Sequence, residues 1–128
     1  MDEIAIRVAD AIDPPKQLTL NEAALWVRDW GISKGWNFDL SDTPEKIALM
    51  HSELSEALEE YRKGHLPQFI YQSHDDPTKP EGLGIELIDC LIRILHYLSA
   101  YGVDVNALFT LKMKFNETRP HRHGGKLA

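Results

Sequence analysis

Two pairs of acids stand three residues apart: Glu53 with Glu56 in "HSELSEALEEYRKG", and Glu86 with Asp89 in "KPEGLGIELIDCLIRIL". Residues at i and i+3 share a helix face, so each pair presents two carboxylates in one direction. If the two faces meet, four carboxylates converge on one volume. Hard divalent cations take oxygen ligands, and Mg²⁺ in particular binds a few carboxylates together with waters and phosphate oxygens. The first helix also carries Glu59 and Glu60, and a cation would offset the mutual repulsion of so many acids. The plain alternative is a solvated face, since the outer faces of surface helices are charged; Glu59, turned away from the others, fits it. Glu86 and Asp89 lie on a helix that is otherwise apolar, and buried acids need partners. Arg93, one turn after Asp89, is the competing partner, as an ion pair.

A third feature lies downstream in "KMKFNETRPHRHGGK". Lys112, Asn116 and Arg119 fall at i, i+4 and i+7 on one side of a helix, and Arg119, Arg122 and Lys126, with a Gly-Gly pair, extend that basic character into the tail. Cationic side chains beside a carboxylate-held metal suit a polyphosphate, the metal taking some oxygens and Arg and Lys the rest; the alternative is a frayed, solvated end. Three tryptophans offer flat apolar rings. Trp26 and Trp30 lie on an apolar stripe and are expected in the core, whereas Trp36 comes just after Gly35. His51 and His96 are assigned no chemistry. Neither has a Glu three residues before it, so a di-iron bundle built on Glu-x-x-His pairs is set aside.

The elements that must position these residues read as helices. Ile4, Val8 and Ile12 suggest a small amphipathic helix over residues 2–12 that "DPP" ends. The next helix is expected from Thr19 or Asn21 to about Lys34, with Ala23, Trp26, Val27 and Trp30 on one stripe. Thr43, Pro44 and Glu45 read as a hydroxyl cap, a first-turn proline and an early acid, opening a helix to Lys63 that Gly64 stops. On it Ile47, Met50, His51, Leu54, Leu58 and Tyr61 form the stripe expected to face the core, with Glu53, Glu56 and Glu60 on a neighbouring face. Residues 65–80, with three prolines, read as a long loop, and no strand is expected. A helix from about Glu81 to Tyr101 follows, closed by Gly102, and a last one from Asp104 to about Thr118. The Glu81–Tyr101 helix is polar only along Glu86, Asp89, Arg93 and His96. An apolar girth of that width is normally buried on several sides, which favours cover by a second subunit.

At 128 residues the chain fits one domain, here a single all-α domain with residues 1–18 as N-terminal helix and linker and 119–128 as basic tail. The opening "MDEIAIRVADAIDPPK" has acids where a signal peptide would be basic, and Glu86, Asp89 and Arg93 break the most apolar segment, so no membrane span is expected. One cysteine, Cys90, excludes an intrachain disulfide framework. A cytoplasmic protein is expected. The net charge of −6 divides unevenly: residues 112–128 hold five Lys or Arg and one acid, and residues 1–111 hold nine and nineteen. Without a basic surface interleaved with aromatics, a nucleic-acid polymer is not an expected partner.

In order, ExxE, about thirty residues, ExxD, then "KxxxNxxRP" and "HGGK" resemble the MazG-like all-α nucleoside triphosphate pyrophosphohydrolases over about residues 44–127. One departure is Ser52, where many relatives carry an acid beside Glu53. The resemblance implies a four-helix-bundle-like subunit that dimerises or tetramerises. It implies Mg²⁺-dependent cleavage, with Mn²⁺ as a substitute, of a nucleoside triphosphate to monophosphate and pyrophosphate, the substrate being a deoxynucleotide or non-standard nucleotide and the role nucleotide-pool cleaning. The implied metal ligands are Glu53, Glu56, Glu86 and Asp89, and the implied substrate contacts are Lys112, Asn116, Arg119, His123 and Lys126, with Trp36 the expected contact to the base. A carboxylate, Glu53 or Glu56, would accept the proton of the attacking water. The competing functions are a non-catalytic helical bundle that binds a partner, and a relative cleaving a phosphoribosyl-ATP or a nucleoside diphosphate.

Overall fold

The computed structural model describes residues 4–6, 15–36 and 40–120. Among them the order is β1 (Ile4–Ile6), α1 (Leu20–Ser33), a 3₁₀ turn (Leu40–Asp42), α2 (Thr43–Arg62), β2 (Ile70–Gln72), β3 (Pro80–Glu81), α3 (Leu83–Ala100) and α4 (Val105–Glu117). The chain is predominantly helical, as expected. No described helix is long and apolar enough to cross a membrane.

Local chemistry explains the helix ends. Thr19 and Glu22 form a capping box at the start of α1, which satisfies backbone donors at both positions. Asp104 caps α4 by accepting from Ala107 N. Asn21 ties the two starts together, because its Oδ1 accepts from Val105 N at 2.8 Å and its Nδ2 donates to Asp104 Oδ1 at 2.8 Å. Gly64 and Gly102 follow α2 and α3 with φ of 85° and 67°, the left-handed conformation that ends helices. Thr43 is not the cap expected of it; its hydroxyl pairs with Tyr97 Oη at 2.9 Å, joining α2 to α3.

α3 is the central element, packing on α2 most extensively, then on α1, and on α4 at one end. The core between α1, α3 and α4 is small: Ala24, Leu95 and Val105, with Leu20, Ala23, Val27 and Leu98 around them.

The strands and the facing of α2 overturn further expectations. Residues 65–80 are not a plain loop, and Ile4–Ile6 is not helical: β1, β2 and β3 make an antiparallel sheet in that order, with Ala5 opposite Tyr71 and Tyr71 opposite Glu81. The remainder of the 2–12 helix expectation lies outside the described residues. Pro80 is tolerated because β3 is an edge strand, where a missing donor costs little. The turn is shaped by Asp76, whose carboxylate accepts from Thr78 N and Oγ1. The sheet is fastened to α2 by buried Glu60, which accepts from Tyr71 Oη at 2.6 Å and pairs with His65 Nδ1 at 2.6 Å. It is also pressed onto the start of α3. A Cβ at Gly82 (φ 136°) would lie 2.5 Å from Phe69 O, and one at Gly84 2.5 Å from Pro67 O.

The second correction concerns α2, which is turned the other way round. Glu53, Ala57 and Glu60 are its buried residues, while Ile47, Leu54, Leu58 and Tyr61 are 42–63% exposed. His51 is exposed as well. The acidic face of α2 therefore meets α3, and its apolar stripe points outward.

Candidate metal centre and aromatic cleft

That inversion places α2 acids against α3 acids. Oxygens of Glu53, Glu86 and Asp89 lie within 4.8 Å of one another. This is about the span across one hard cation, whose bonds to oxygen run roughly 2.1–2.6 Å. Glu53 is 8% exposed and Glu86 and Asp89 are half-buried. Glu86 Oε2 is buried and, among the described residues, has no hydrogen-bond partner. A buried acceptor left unpaired costs free energy, and a cation would satisfy it, so the residues present fit a divalent ion. Glu56 is exposed at the rim, close enough to act on Glu86. The four predicted ligands are thus brought together, three tightly and Glu56 beside them.

The electrostatics are those of crowded like charges. Burial, then Glu56, Asp89 and Glu53, push the Glu86 carboxyl up to about 8. Burial, then Glu53 and Glu56, raise Asp89. Burial would raise Glu53 too, but Arg93, together with hydrogen bonds from Glu56 and Glu86, holds that carboxyl below its ordinary value. Arg93 Nε donates to Glu53 Oε1 at 2.9 Å. The expected competing pair was Arg93 with Asp89 on the same helix; instead Arg93 crosses to α2, and Asp89 stays in the cluster.

Beside the cluster opens a cavity of about 690 Å³ between α1 and α3, lined by Trp26, Trp30, Trp36, Ile88, Asp89 and Arg93 among others. Trp26 and Trp30 are not core residues: they are 53% and 39% exposed and form one wall. They are on the cleft because the core behind α1 is filled by Ala24, while Gly31 lets α1 approach α3 closely. Trp36 meets Trp30 edge-on at 4.6 Å between ring centres, and His96 at 4.8 Å. His96 is 2% exposed, and burial, then Lys46 and Arg93, lower its pKa. The cleft is thus apolar and aromatic at one end and carboxylate-rich at the other.

The predicted cationic contacts sit elsewhere. Lys112, Asn116 and Arg119 lie on or just after α4, which packs on α1 and α3. Asn116 Nδ2 rests 3.8 Å from Met113 Sδ. Lys112 and Arg119 face the Phe115 ring at 5.1 and 5.7 Å. None of the three is among the described residues lining the cleft. His123 and Lys126 lie outside the described residues. Arg93 is the cleft residue that spacing alone did not pick out for chemistry. Its position on the polar stripe of Glu86, Asp89 and His96 was the available sign. The chain matches no family model, no curated protein and no solved structure.

Proposed function

We propose that this chain is a Mg²⁺-dependent nucleoside triphosphate pyrophosphohydrolase, releasing a nucleoside monophosphate and pyrophosphate from a deoxynucleotide or non-standard nucleotide. The observation that carries this is the convergence of Glu53, Glu86 and Asp89, with an unpaired buried oxygen, at the end of a tryptophan-walled cleft. Glu53, Glu86 and Asp89 would hold the ion, with Glu56 beside them. Bound there, Mg²⁺ would supply positive charge for the phosphate oxygens and a Lewis acid for water. The tryptophans offer flat apolar surface to a base. Glu53 is engaged by Arg93, so Glu56, exposed at the rim, is the carboxylate placed to accept a proton from attacking water. Lys112, Asn116 and Arg119 reach a phosphate in this scheme only by a movement of α4 or from a second copy.

We further propose that the chain self-associates as a dimer or tetramer. Among the described residues six hydrophobics are buried against twenty large ones left exposed, including Ile47, Leu54, Leu58 and Tyr61 along one stripe of α2, and a second copy would cover such a stripe.

The test of the enzyme reading is pyrophosphate release across common, oxidised and deaminated triphosphates, with and without Mg²⁺. Glu86→Gln and Asp89→Asn should remain folded and lose at least about 100-fold in turnover, since each removes a charge that positions the ion. Unchanged turnover in both variants would remove the metal centre from the mechanism. A thermal scan separates the non-catalytic alternative, which predicts no stabilisation by Mg²⁺ plus nucleotide.

A further inference from the structure

Among the described residues lining the cleft, Arg93 is the one cation, and its placement gives it more than a structural role. It is half-buried, and among the described residues its hydrogen-bond partner is Glu53, reached through Nε. A guanidinium carries five N–H donors, so most of this fork is uncommitted. It lines both the large cleft and the small cavity formed with Trp36, Lys46 and His96. Along α3, Arg93 stands about 6 Å beyond Asp89 and His96 about 4.5 Å further, at 1.5 Å per residue. The carboxylate end, the guanidinium and the aromatic end therefore follow one another in a line of about 10 Å on that rise. A nucleotide with its outer phosphates at the carboxylates and its ring at Trp36 would bring its α-phosphate beside Arg93.

We propose that Arg93 is a substrate-binding residue kept in reserve by Glu53: a divalent cation takes over Glu53, and the released guanidinium closes on the α-phosphate of the nucleotide. This rests on the metal centre and nucleotide cleft proposed above. The exchange follows from charge. Glu53 is shared between Arg93 on one side and the Glu86 and Asp89 oxygens on the other, and a divalent ion among those oxygens repels a guanidinium a few ångströms away. A phosphate offers two oxyanion oxygens to the planar guanidinium fork, which can bind both at once. Arg93 thus opposes the metal when no nucleotide is present and supports both when it is, so each ligand strengthens the other by the same factor.

Mn²⁺ binding to the full-length protein, followed by electron paramagnetic resonance, and binding of a non-hydrolysable triphosphate in the presence of Mn²⁺ test the exchange. Arg93→Gln should bind Mn²⁺ alone about tenfold more tightly and the triphosphate analogue about tenfold or more weakly, the range of one charge-assisted hydrogen bond. Arg93→Lys should keep wild-type Mn²⁺ affinity while losing most of the analogue affinity. Glu53→Gln should do the reverse of Arg93→Gln, weakening Mn²⁺ and tightening metal-free binding of inorganic tripolyphosphate. It also serves if Arg93→Gln fails to fold. Opposite signs for metal and analogue separate this role from a structural one, which would weaken both. Mn²⁺ affinity unchanged or weaker in Arg93→Gln overturns the exchange, and unchanged analogue affinity overturns the substrate contact, even where wild type binds Mn²⁺ and Glu86→Gln is inactive. A wild-type protein that binds neither Mn²⁺ nor nucleotide overturns the proposed function and this inference together.

Discussion

Loading the carboxylate cluster should release protons, and the structure sets how many. With its carboxyl pushed up to about 8 by burial and by Glu56, Asp89 and Glu53, Glu86 is about 0.9 protonated at pH 7 and about 0.1 at pH 9 in the metal-free protein. An ion that needs the carboxylate must expel that proton. Apparent Mg²⁺ affinity should therefore rise about 50-fold from pH 6 to pH 8 and less than about twofold from pH 8 to pH 9. Asp89, also raised, adds to the release at the acid end. Titration calorimetry at pH 7 in buffers of differing ionisation enthalpy gives the proton count directly, with about one expected per ion from Glu86. Glu86→Gln should abolish most of it. The sign extends to stability. The folded carboxyl binds its proton more tightly than the unfolded one, whose value is 4.5, so this contribution is fully present below 4.5 and is lost as pH rises through about 8. The metal-free protein should lose stability over that window and Mg²⁺ should restore it. Affinity flat between pH 6 and pH 8, or a proton count near zero at pH 7, would refute the crowded-carboxylate account.

Three further outcomes are expected. Tyr71→Phe removes the 2.6 Å bond to buried Glu60 and should cost about 2 kcal/mol, read as a fall of several degrees in Tm. Gly31→Ala places a Cβ 2.7 Å from His96 Nε2 and 2.9 Å from its Cδ2; the helix-propensity gain of up to about 1 kcal/mol is outweighed by overpacking of roughly 1–3 kcal/mol, because a ring 2% exposed has no space to yield. Thermal denaturation should show a net loss, and a stabilised variant would contradict the packing described. Leu58→Glu, at a position 48% exposed, should leave the subunit folded but shift light-scattering mass towards the monomer, whereas an unchanged mass would remove the outward stripe of α2 from any interface.

The helices were legible because their ends carry local chemistry: Thr19 before α1, Asp104 before α4, and Gly64 and Gly102 after α2 and α3. The acid pairs were legible for the same kind of reason, since i and i+3 spacing needs no tertiary information. The direction α2 faces was not. Ile47, Met50, Leu54, Leu58 and Tyr61 make its most apolar stripe, and within one chain such a stripe belongs inward; Glu53 and Glu60 turn inward because their partners, Arg93 and Tyr71, come from distant segments. Tyr71 lies in a three-residue strand, too short for alternation to show, and β3 opens on a proline that reads as a breaker. Trp26 and Trp30 were placed in the core because an apolar face does not reveal whether a cavity lies beside it. The tie from Arg93 to Glu53, and not to Asp89, depends on helix pairing that no single-helix pattern contains.

Gly31 has a consequence for which rings could enter the cleft. At that residue α1 lies so close to α3 that an added Cβ would stand 2.7 Å from His96 Nε2. Trp26 and Trp30 line the cleft from α1, Ile88 and Asp89 from α3. A bulkier residue at 31 would press the two helices apart and widen the gap between those walls. The width open to a flat ring would then be set by a residue that is not among the described lining of the cleft.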